Sequence, residues 1–212
     1  MSNSQLLSFH NWLVDLRREL HQIPELGYQE EKTATKICGV LDELEVPYQT
    51  GVGKTGIVAR VKSQKEGPLI AFRADMDALP LAESNDVPYK SLHPGLMHAC
   101  GHDGHVTVAL GIIRHLQEEN WLRNGCGEIL FFFQPAEEGG AGAKAMLDTG
   151  YFDSEPVTAI FAGHMGPELP VGKIELISGT AHAATNTLRI RIKGKGGHGA
   201  SPHLGVDPIV AG

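Results

Sequence analysis

Three nearly continuous apolar runs of strand length constrain the fold of this 212-residue chain more than any other feature. They are Leu69–Phe72, Ile129–Phe133 and Thr158–Ala162. An unbroken apolar run is typical of a strand that is covered on both faces, as in a largely parallel sheet. Helical patterns separate the runs, and the resulting order strand–helix–strand–helix–strand predicts an α/β fold.

The segments around these runs predict the remaining elements of the first part of the chain. Apolar residues at helical spacing predict a first helix that ends before Pro24, and three further helices. These lie at about residues 34–44, 109–116 and 142–147, and two short strands are predicted at about 48–50 and 57–61.

The pattern changes towards the end of the chain. Thr185–Lys195 alternates apolar and basic residues, which predicts a strand with one wet face. We therefore expect a catalytic domain over residues 1–179 and the beginning of an α+β domain over residues 180–212. Asp207-Pro208 is a good helix start, but only four residues follow, so the second domain is expected to continue beyond them.

The charge and composition of the chain limit which partners and which cellular location we expect. The formal net charge is −7, which would repel nucleic acid and an anionic membrane surface, so neither is an expected partner. No apolar stretch approaches the roughly 20 residues of a membrane span, and the N-terminal segment lacks the basic start of a signal peptide. Three widely spaced cysteines are not a disulfide framework. Together these features predict the cytoplasm.

One glycine motif imitates a nucleotide site. Gly51, Gly53 and Gly56 match the dinucleotide-binding fingerprint, which requires the last glycine to open a helix. Here a strand pattern follows instead. We interpret the three glycines as a turn between two strands.

Polar residues gather where the apolar runs end. Residues 73–77, 134–140 and 163–164 each follow one run, and residues 98–105 precede a helix. In an open α/β sheet, ligands bind in the crevice beyond the carboxyl ends of the strands. We therefore expect these four segments to converge on one site.

The pair Cys100 and His102 is the first candidate for metal binding. A thiolate and an imidazole two residues apart can bind a transition metal, and the following helix N-terminus is expected to favour the thiolate. A reactive or buried cysteine near a surface histidine is the alternative for this pair alone. His98, Asp103 and His105 lie close in sequence and favour the metal site.

Glu137-Glu138 and His164 are further candidates. Two adjacent carboxylates at the mouth of a sheet repel each other unless a cation binds there, and a second carboxylate would then be free to act as a general base. Taken alone, the acid pair suits a solvated loop, and His164 suits a strand end bonded to backbone. Taken with the other segments, both favour a metal site.

Asp75, Asp77 and His198 remain ambiguous from the residues alone. Either aspartate could accept a hydrogen bond from a ligand histidine and so orient it, or could be an ordinary turn residue. His198 lies in the predicted second domain, and it could be either a catalytic hydrogen-bond donor or an ordinary turn residue.

Five motifs carry a resemblance to a known family, and they span about residue 12 to the end. The chain resembles the amidohydrolase branch of the M20 metallopeptidases, which hydrolyse N-acyl amino acids, hippurate and auxin conjugates. The motifs are RADMDALP, MHACGHDGH, FQPAEEGGAGA, GHM with a later PVG, and KGKGGHGASPH. The family's last metal ligand is a histidine near the C-terminus of a chain about twice this length, and it has no counterpart here.

The resemblance implies a metallohydrolase catalytic domain with a lid domain, and in the full-length protein a homodimer through that lid. It implies two divalent metal ions, Mn²⁺ or Zn²⁺. By the resemblance, the metal ligands in this chain are Cys100, which bridges the metals, His102, Glu138 and His164. Glu137 corresponds to the general base, Asp75 to the acid behind the ligands, and His198 to a lid histidine that assists the transition state.

The expected reaction is hydrolysis of the amide bond of an N-acyl amino acid or similar small amide. A water that bridges the two metals attacks the acyl carbonyl, and Glu137 takes its proton and passes it to the leaving amine. Two alternatives compete. Cys100 could act as a nucleophile with a histidine base, or this chain could be an incomplete fragment that binds metal without turnover.

Overall fold

The computed structural model describes residues 2–180 and 188–212. Within it the backbone forms two compact units, residues 1–167 and 168–212. The sequence-based boundary near residue 180 remains a prediction. The first unit contains all five strands and every candidate site residue except His198.

The first unit follows the order of elements that the sequence predicts. Its helices and strands, in chain order, are α1 (Asn3–His21), α2 (Glu31–Glu43), β1 (Tyr48–Thr50), β2 (Ile57–Lys62), β3 (Leu69–Asp75), α3 (His102–Glu118), α4 (Trp121–Asn124), β4 (Glu128–Gln134), α5 (Gly142–Leu147) and β5 (Val157–Ala162). A capping box at Ser2 and Gln5 begins α1, and the helix ends before Pro24 as expected. Only the four-residue α4 has no counterpart in the predictions.

The five strands form one sheet in the order β1-β2-β4-β3-β5. β3 pairs in parallel with both β4 and β5, whereas β2 is antiparallel to its neighbours β1 and β4. Four strands therefore share one direction and β2 opposes them. The three apolar runs are the three parallel strands, which confirms the largely parallel α/β fold.

The two faces of the sheet carry separate apolar cores. The larger core packs α1, α2 and α3 on one face, with residues such as Leu20, Leu110 and Phe131 fully buried. The smaller core lies on the other face, where Met146 of α5 joins Leu130 and Ala71. The strands β3 and β4 are thus covered on both faces, as their unbroken apolar sequences predict.

Coverage on both faces is not found for β5, so that part of the prediction is wrong. Ile160 is 64% exposed and Phe161 55% exposed. Among residues 2–180 and 188–212, β5 lies at the edge of the sheet and pairs with β3 alone. An apolar strand sequence does not by itself provide a covering layer. The glycine motif behaves as expected: Gly51 and Gly53 have positive φ in the turn between β1 and β2.

The second unit has little regular structure in its described residues. The predicted strand Thr185–Lys195 lies partly outside the described residues, and from Leu188 on it is not a strand: Lys195 forms one isolated bridge with Val206. Alternation alone cannot make a strand without a partner strand of some length. The helix start is confirmed, since the Asp207 side chain accepts from the Ile209 N–H ahead of α6 (Pro208–Ala211). No helix in the described parts of the chain is long and apolar enough to cross a membrane.

Candidate metal centre

The carboxyl ends of the parallel strands bring the candidate residues together. β3 ends at Asp75 and β4 at Gln134, which are partners in the sheet register, while β5 ends two residues before His164. The N-terminus of α3 presents His102 to the same edge. Potential ligand atoms of Cys100, His102 and His164 lie within 4.8 Å of one another, and the same holds for His102, Glu137 and Glu138. The four segments therefore converge as the sheet topology predicts.

Within the described part of the chain, the two candidate imidazole ligands use Nδ1 and not Nε2 for their hydrogen bonds to backbone. His102 Nδ1 lies 2.8 Å from the carbonyl oxygen of Asp77, and His164 Nδ1 lies 2.8 Å from the carbonyl oxygen of Met165. Because a carbonyl can only accept, the proton of each neutral ring is on Nδ1. Each Nε2 therefore offers a lone pair, the form in which histidine binds metals.

The Cys100 thiol lies among acids rather than beside positive charge. Its Sγ is 3.4 Å from His164 Nε2. Burial, a hydrogen bond to Glu138 and the nearby carboxylates raise the pKa of Cys100 to about 11. The expectation that the helix N-terminus favours the thiolate is therefore wrong for the protein without a cation, because burial, the hydrogen bond to Glu138 and the nearby carboxylate charges favour the neutral thiol. A bound cation would reverse this balance.

The Glu137-Glu138 turn is held in a strained conformation by a buried acid. Glu30, which is fully buried, accepts hydrogen bonds from the Ala136 N–H at 2.9 Å and from the Thr55 hydroxyl at 2.5 Å. Ala136 adopts φ of +49°, a conformation that costs free energy and persists only when its surroundings enforce it. The carboxylates that follow are thus presented by a fixed backbone. Sequence analysis did not identify Glu30, since a buried acid has no signature in the pattern around it.

The two aspartates at the end of β3 hold different partners. Asp77 Oδ2 accepts from the Glu138 N–H at 2.9 Å, and its Oδ1 lies 3.2 Å from His102 Nδ1. Burial raises the pKa of Asp77. Contacts with His102 and with the backbone of Glu138 lower this pKa by a larger amount, so the net shift is downward. Asp75 instead contacts His105 at 2.5 Å and Arg73 at 2.9 Å. Asp77 is therefore the acid that supports two candidate ligands.

Asp103 and His98 lie close to Cys100 and His102 in sequence, but their side chains lie in different surroundings. Asp103 accepts from Arg17 at 2.9 Å and contacts His21 at 2.6 Å, which fastens α1 to the start of α3. His98 is buried, and neither ring nitrogen has a hydrogen-bond partner among the described residues. Burial lowers the pKa of His98 to about 4, so its ring is neutral. Closeness in sequence did not separate these residues from the candidate ligands, because Asp103 on α3 and His98 before it face different neighbours.

A groove of about 1010 Å³ runs between α1 and α3 and reaches Cys100. Apolar side chains such as Leu13 and Ile112 line much of it, and His98 lies in its wall. Its size suits a small molecule.

His198 lies in the second unit, where its Nδ1 accepts from the Ala200 N–H at 3.1 Å.

The donor set fits divalent cations on evidence from its own atoms. His102 Nε2 is a buried nitrogen without a hydrogen-bond partner among the described residues. It faces Glu138 Oε1 at 3.9 Å and Asp75 Oδ2 at 3.6 Å, so a lone pair is directed at carboxylates. Burial lowers the pKa of His102, but the hydrogen bond to Asp77 and the charge of Asp75 raise it by more, so the acids favour a positive charge on this ring. A cation ligated by thiolate, imidazole and carboxylate would supply that positive charge in place of the ring proton.

Fold and site together define the class of this chain: an α/β protein with a cluster of candidate metal ligands at the carboxyl edge of its sheet. The model of peptidase family M20/M25/M40 matches residues 71–208, and the chain belongs to this family.

Proteins that resemble this chain in sequence or structure include two deacetylases and a metal-binding peptidase. The chain is 46% identical over 203 residues to an N-acetyldiaminopimelate deacetylase of Halalkalibacterium halodurans, covering 94% of this chain and 53% of the relative. It is 43% identical over 209 residues to the N-acetylcysteine deacetylase of Bacillus subtilis, covering 96% and 53%. A crystal structure of the Bacillus subtilis YXEP protein, a dinuclear metal binding peptidase of the M20 family, matches with a TM-score of 0.73 and 42% identity, covering 78% and 46%. The chain thus spans about half the length of the relatives it matches.

Proposed function

We propose that this chain supplies the metal-binding part of an amidohydrolase that cleaves the amide bond of N-acyl amino acids. The observation that carries the proposal is that two groups of potential ligand atoms share His102. One group joins it to Cys100 and His164, and the other joins it to Glu137 and Glu138. The relatives' names support the substrate class, since N-acetyldiaminopimelate and N-acetylcysteine are both amino acids with an acetyl amide.

Four residues are proposed to hold the divalent ions, Mn²⁺ or Zn²⁺: Cys100, His102, Glu138 and His164. When bound, such ions supply Lewis-acid activation of water and of an acyl carbonyl. Asp77 keeps His102 and Glu138 in place from behind. A soft thiolate with imidazoles favours zinc, and the carboxylates also suit manganese.

Glu137 is the proposed general base. Its carboxylate has no hydrogen bond or ion pair within the described ranges, whereas the Glu138 carboxylate takes a hydrogen bond from Cys100. A carboxylate that is close to the site but not held can accept a proton from water and return it to the leaving amine. Asp75, which holds His105, and His198, as a donor to the transition state, complete the proposed catalytic set.

The thiol alternative is disfavoured by the chemistry of Cys100. A nucleophilic cysteine needs a depressed pKa, and the pKa of Cys100 is raised to about 11. Cytoplasmic location and a homodimer through the second domain remain part of the proposal. The negative charge supports neither nucleic acid nor an anionic membrane as partner.

The test is an assay of N-acetyl-L-cysteine and N-acetyldiaminopimelate hydrolysis. The 212-residue chain and a chain extended to the length of its relatives are compared after loading with Zn²⁺ or Mn²⁺. We expect turnover that a chelator abolishes and metal restores, at least in the extended chain. Turnover that survives the chelator and stops on thiol alkylation would replace the metal mechanism by the thiol one. Metal binding by the short chain without turnover would identify it as an incomplete catalyst.

A further inference from the structure

His105 lies beside the metal centre with both ring nitrogens already engaged. Its Nδ1 is 2.5 Å from Asp75 Oδ1, and its Nε2 is 3.0 Å from the backbone nitrogen of Met165. The side chain is buried, and its ring centroid is 4.8 Å from that of His164 in an edge-on arrangement. Ligand atoms of Asp75, His102 and His105 lie within 4.8 Å of one another, so distance alone would admit a third metal-binding group.

The hydrogen-bond partners fix the tautomer of His105. A backbone N–H can only donate, so the Nε2 that faces Met165 must be an unprotonated acceptor. In a neutral ring the proton is then on Nδ1, where the Asp75 carboxylate accepts it. Neither nitrogen has a lone pair left for a metal. The group formed by Asp75, His102 and His105 is therefore not a ligand set.

We propose that His105 is a positioning residue that fixes the His164 ligand by accepting the Met165 N–H. The connection runs from Arg73 to Asp75, from Asp75 to His105 and from His105 to the residue that follows His164. The proposal rests on the proposed function in one respect, since it takes His164 as a metal ligand.

Close packing of Met165 on α3 supports the same role. A Cβ atom at Gly104 would lie 2.9 Å from Met165 Cε, and one at Gly101 would lie 3.1 Å from Met165 Cγ. The two glycines thus let the segment after β5 approach the helix that carries His105. This contact fixes the segment by packing, while the His105 hydrogen bond fixes its rotation and so the direction of the His164 ring.

The first test is the tautomer of His105 in the metal-free 212-residue chain, measured by NMR of its ring nitrogens. We expect a protonated Nδ1 and an unprotonated Nε2, with the Met165 amide protected from hydrogen exchange. A protonated Nε2, in either the other tautomer or the imidazolium, would overturn the proposal, because that nitrogen could not accept from Met165. This measurement needs no metal and no activity.

The second test compares variants by zinc titration and by exchange of the Met165 amide. His105→Asn keeps an N–H near the Nδ1 position but is too short to reach Met165, so we expect faster exchange and a zinc Kd raised about 10- to 100-fold. His105→Gln extends a carbonyl oxygen towards the Nε2 position and is expected to recover part of the affinity. His115→Asn is the matched control, because His115 is an exposed histidine on the same helix.

Each outcome decides one claim. Unchanged zinc affinity in folded His105→Asn would overturn the positioning role. Should the Asn variant fail to fold, His105→Gln and the wild-type tautomer still decide it. If the wild-type chain bound no zinc, the proposed function would fail, whereas the tautomer and the Met165 exchange would still show whether His105 holds this segment.

Discussion

Replacement of Asp77 by asparagine should weaken metal binding without changing the shape of the site. Asp77 is 1% exposed, and its carboxylate supports two candidate ligands. Its Oδ2 accepts the Glu138 N–H, and its Oδ1 lies 3.2 Å from the protonated Nδ1 of His102. Asparagine can direct its oxygen to Glu138, but its NH₂ group then faces the N–H of His102, so two donors oppose each other.

The expected magnitude follows from these two contacts. Conversion of the charge-assisted bond to Glu138 into a neutral one costs about 1 kcal/mol. Loss of the negative charge behind His102 makes the ring a weaker base and costs about 1 kcal/mol more. The sum of about 2 kcal/mol corresponds to a rise of about 30-fold in the dissociation constant. The His102 Nδ1 bond to the Asp77 carbonyl remains, so binding should not be abolished.

The assay is zinc titration of the 212-residue chain against a competing chelator indicator at fixed pH. Asp86→Asn is the control, because Asp86 is exposed and its replacement removes the same charge. Thermal unfolding of the metal-free proteins checks that each variant folds. Equal zinc affinity for folded Asp77→Asn, Asp86→Asn and wild type would refute the inference that Asp77 supports the ligands.

Three further predictions concern catalysis, the core and pH. Glu137→Gln in the extended chain should retain metal by elemental analysis and lose at least about 100-fold in turnover; near-normal turnover would remove Glu137 from its role. Leu110→Ala should lower the free energy of unfolding by about 2–5 kcal/mol in urea titration, because Leu110 is fully buried between α3 and the sheet; a loss below about 1 kcal/mol would contradict this packing. The Asp103 hydrogen bond raises the pKa of His21 above its ordinary 6.5, so its stabilising contribution is complete below pH 6.5 and decreases as pH rises through the raised pKa. His21→Gln should therefore lose more stability at pH 6 than at pH 9, and an equal loss at both would contradict the assignment.

The sheet was predictable because its central strands are unusual in sequence. Unbroken apolar runs separated by helical patterns indicate parallel strands, and the runs became β3, β4 and β5. The order of strands was not predictable, since β4 inserts between β2 and β3 although it follows both in sequence. Exposure of β5 was also missed, because an apolar sequence records a preference for burial and not the presence of a covering element.

The location of the site was predictable, but its internal connections were not. Parallel strands end at the same edge, so the polar segments after them had to lie close together. The pattern could not say that Asp77 rather than Asp75 supports both His102 and Glu138, since the two acids are only two residues apart in sequence. It also missed the Glu30 and Met165 contacts, which join residues 106 and 60 positions apart. Backbone groups such as the Met165 N–H carry no sequence signal at all.

The most direct test of the metal centre is anomalous diffraction from crystals of the chain grown with zinc, measured at the zinc absorption edge. The account predicts anomalous density about 2.3 Å from Cys100 Sγ and about 2.0–2.1 Å from the Nε2 atoms of His102 and His164. Zinc bound through His105, or zinc density found only away from Cys100 and the two Nε2 atoms, would contradict it.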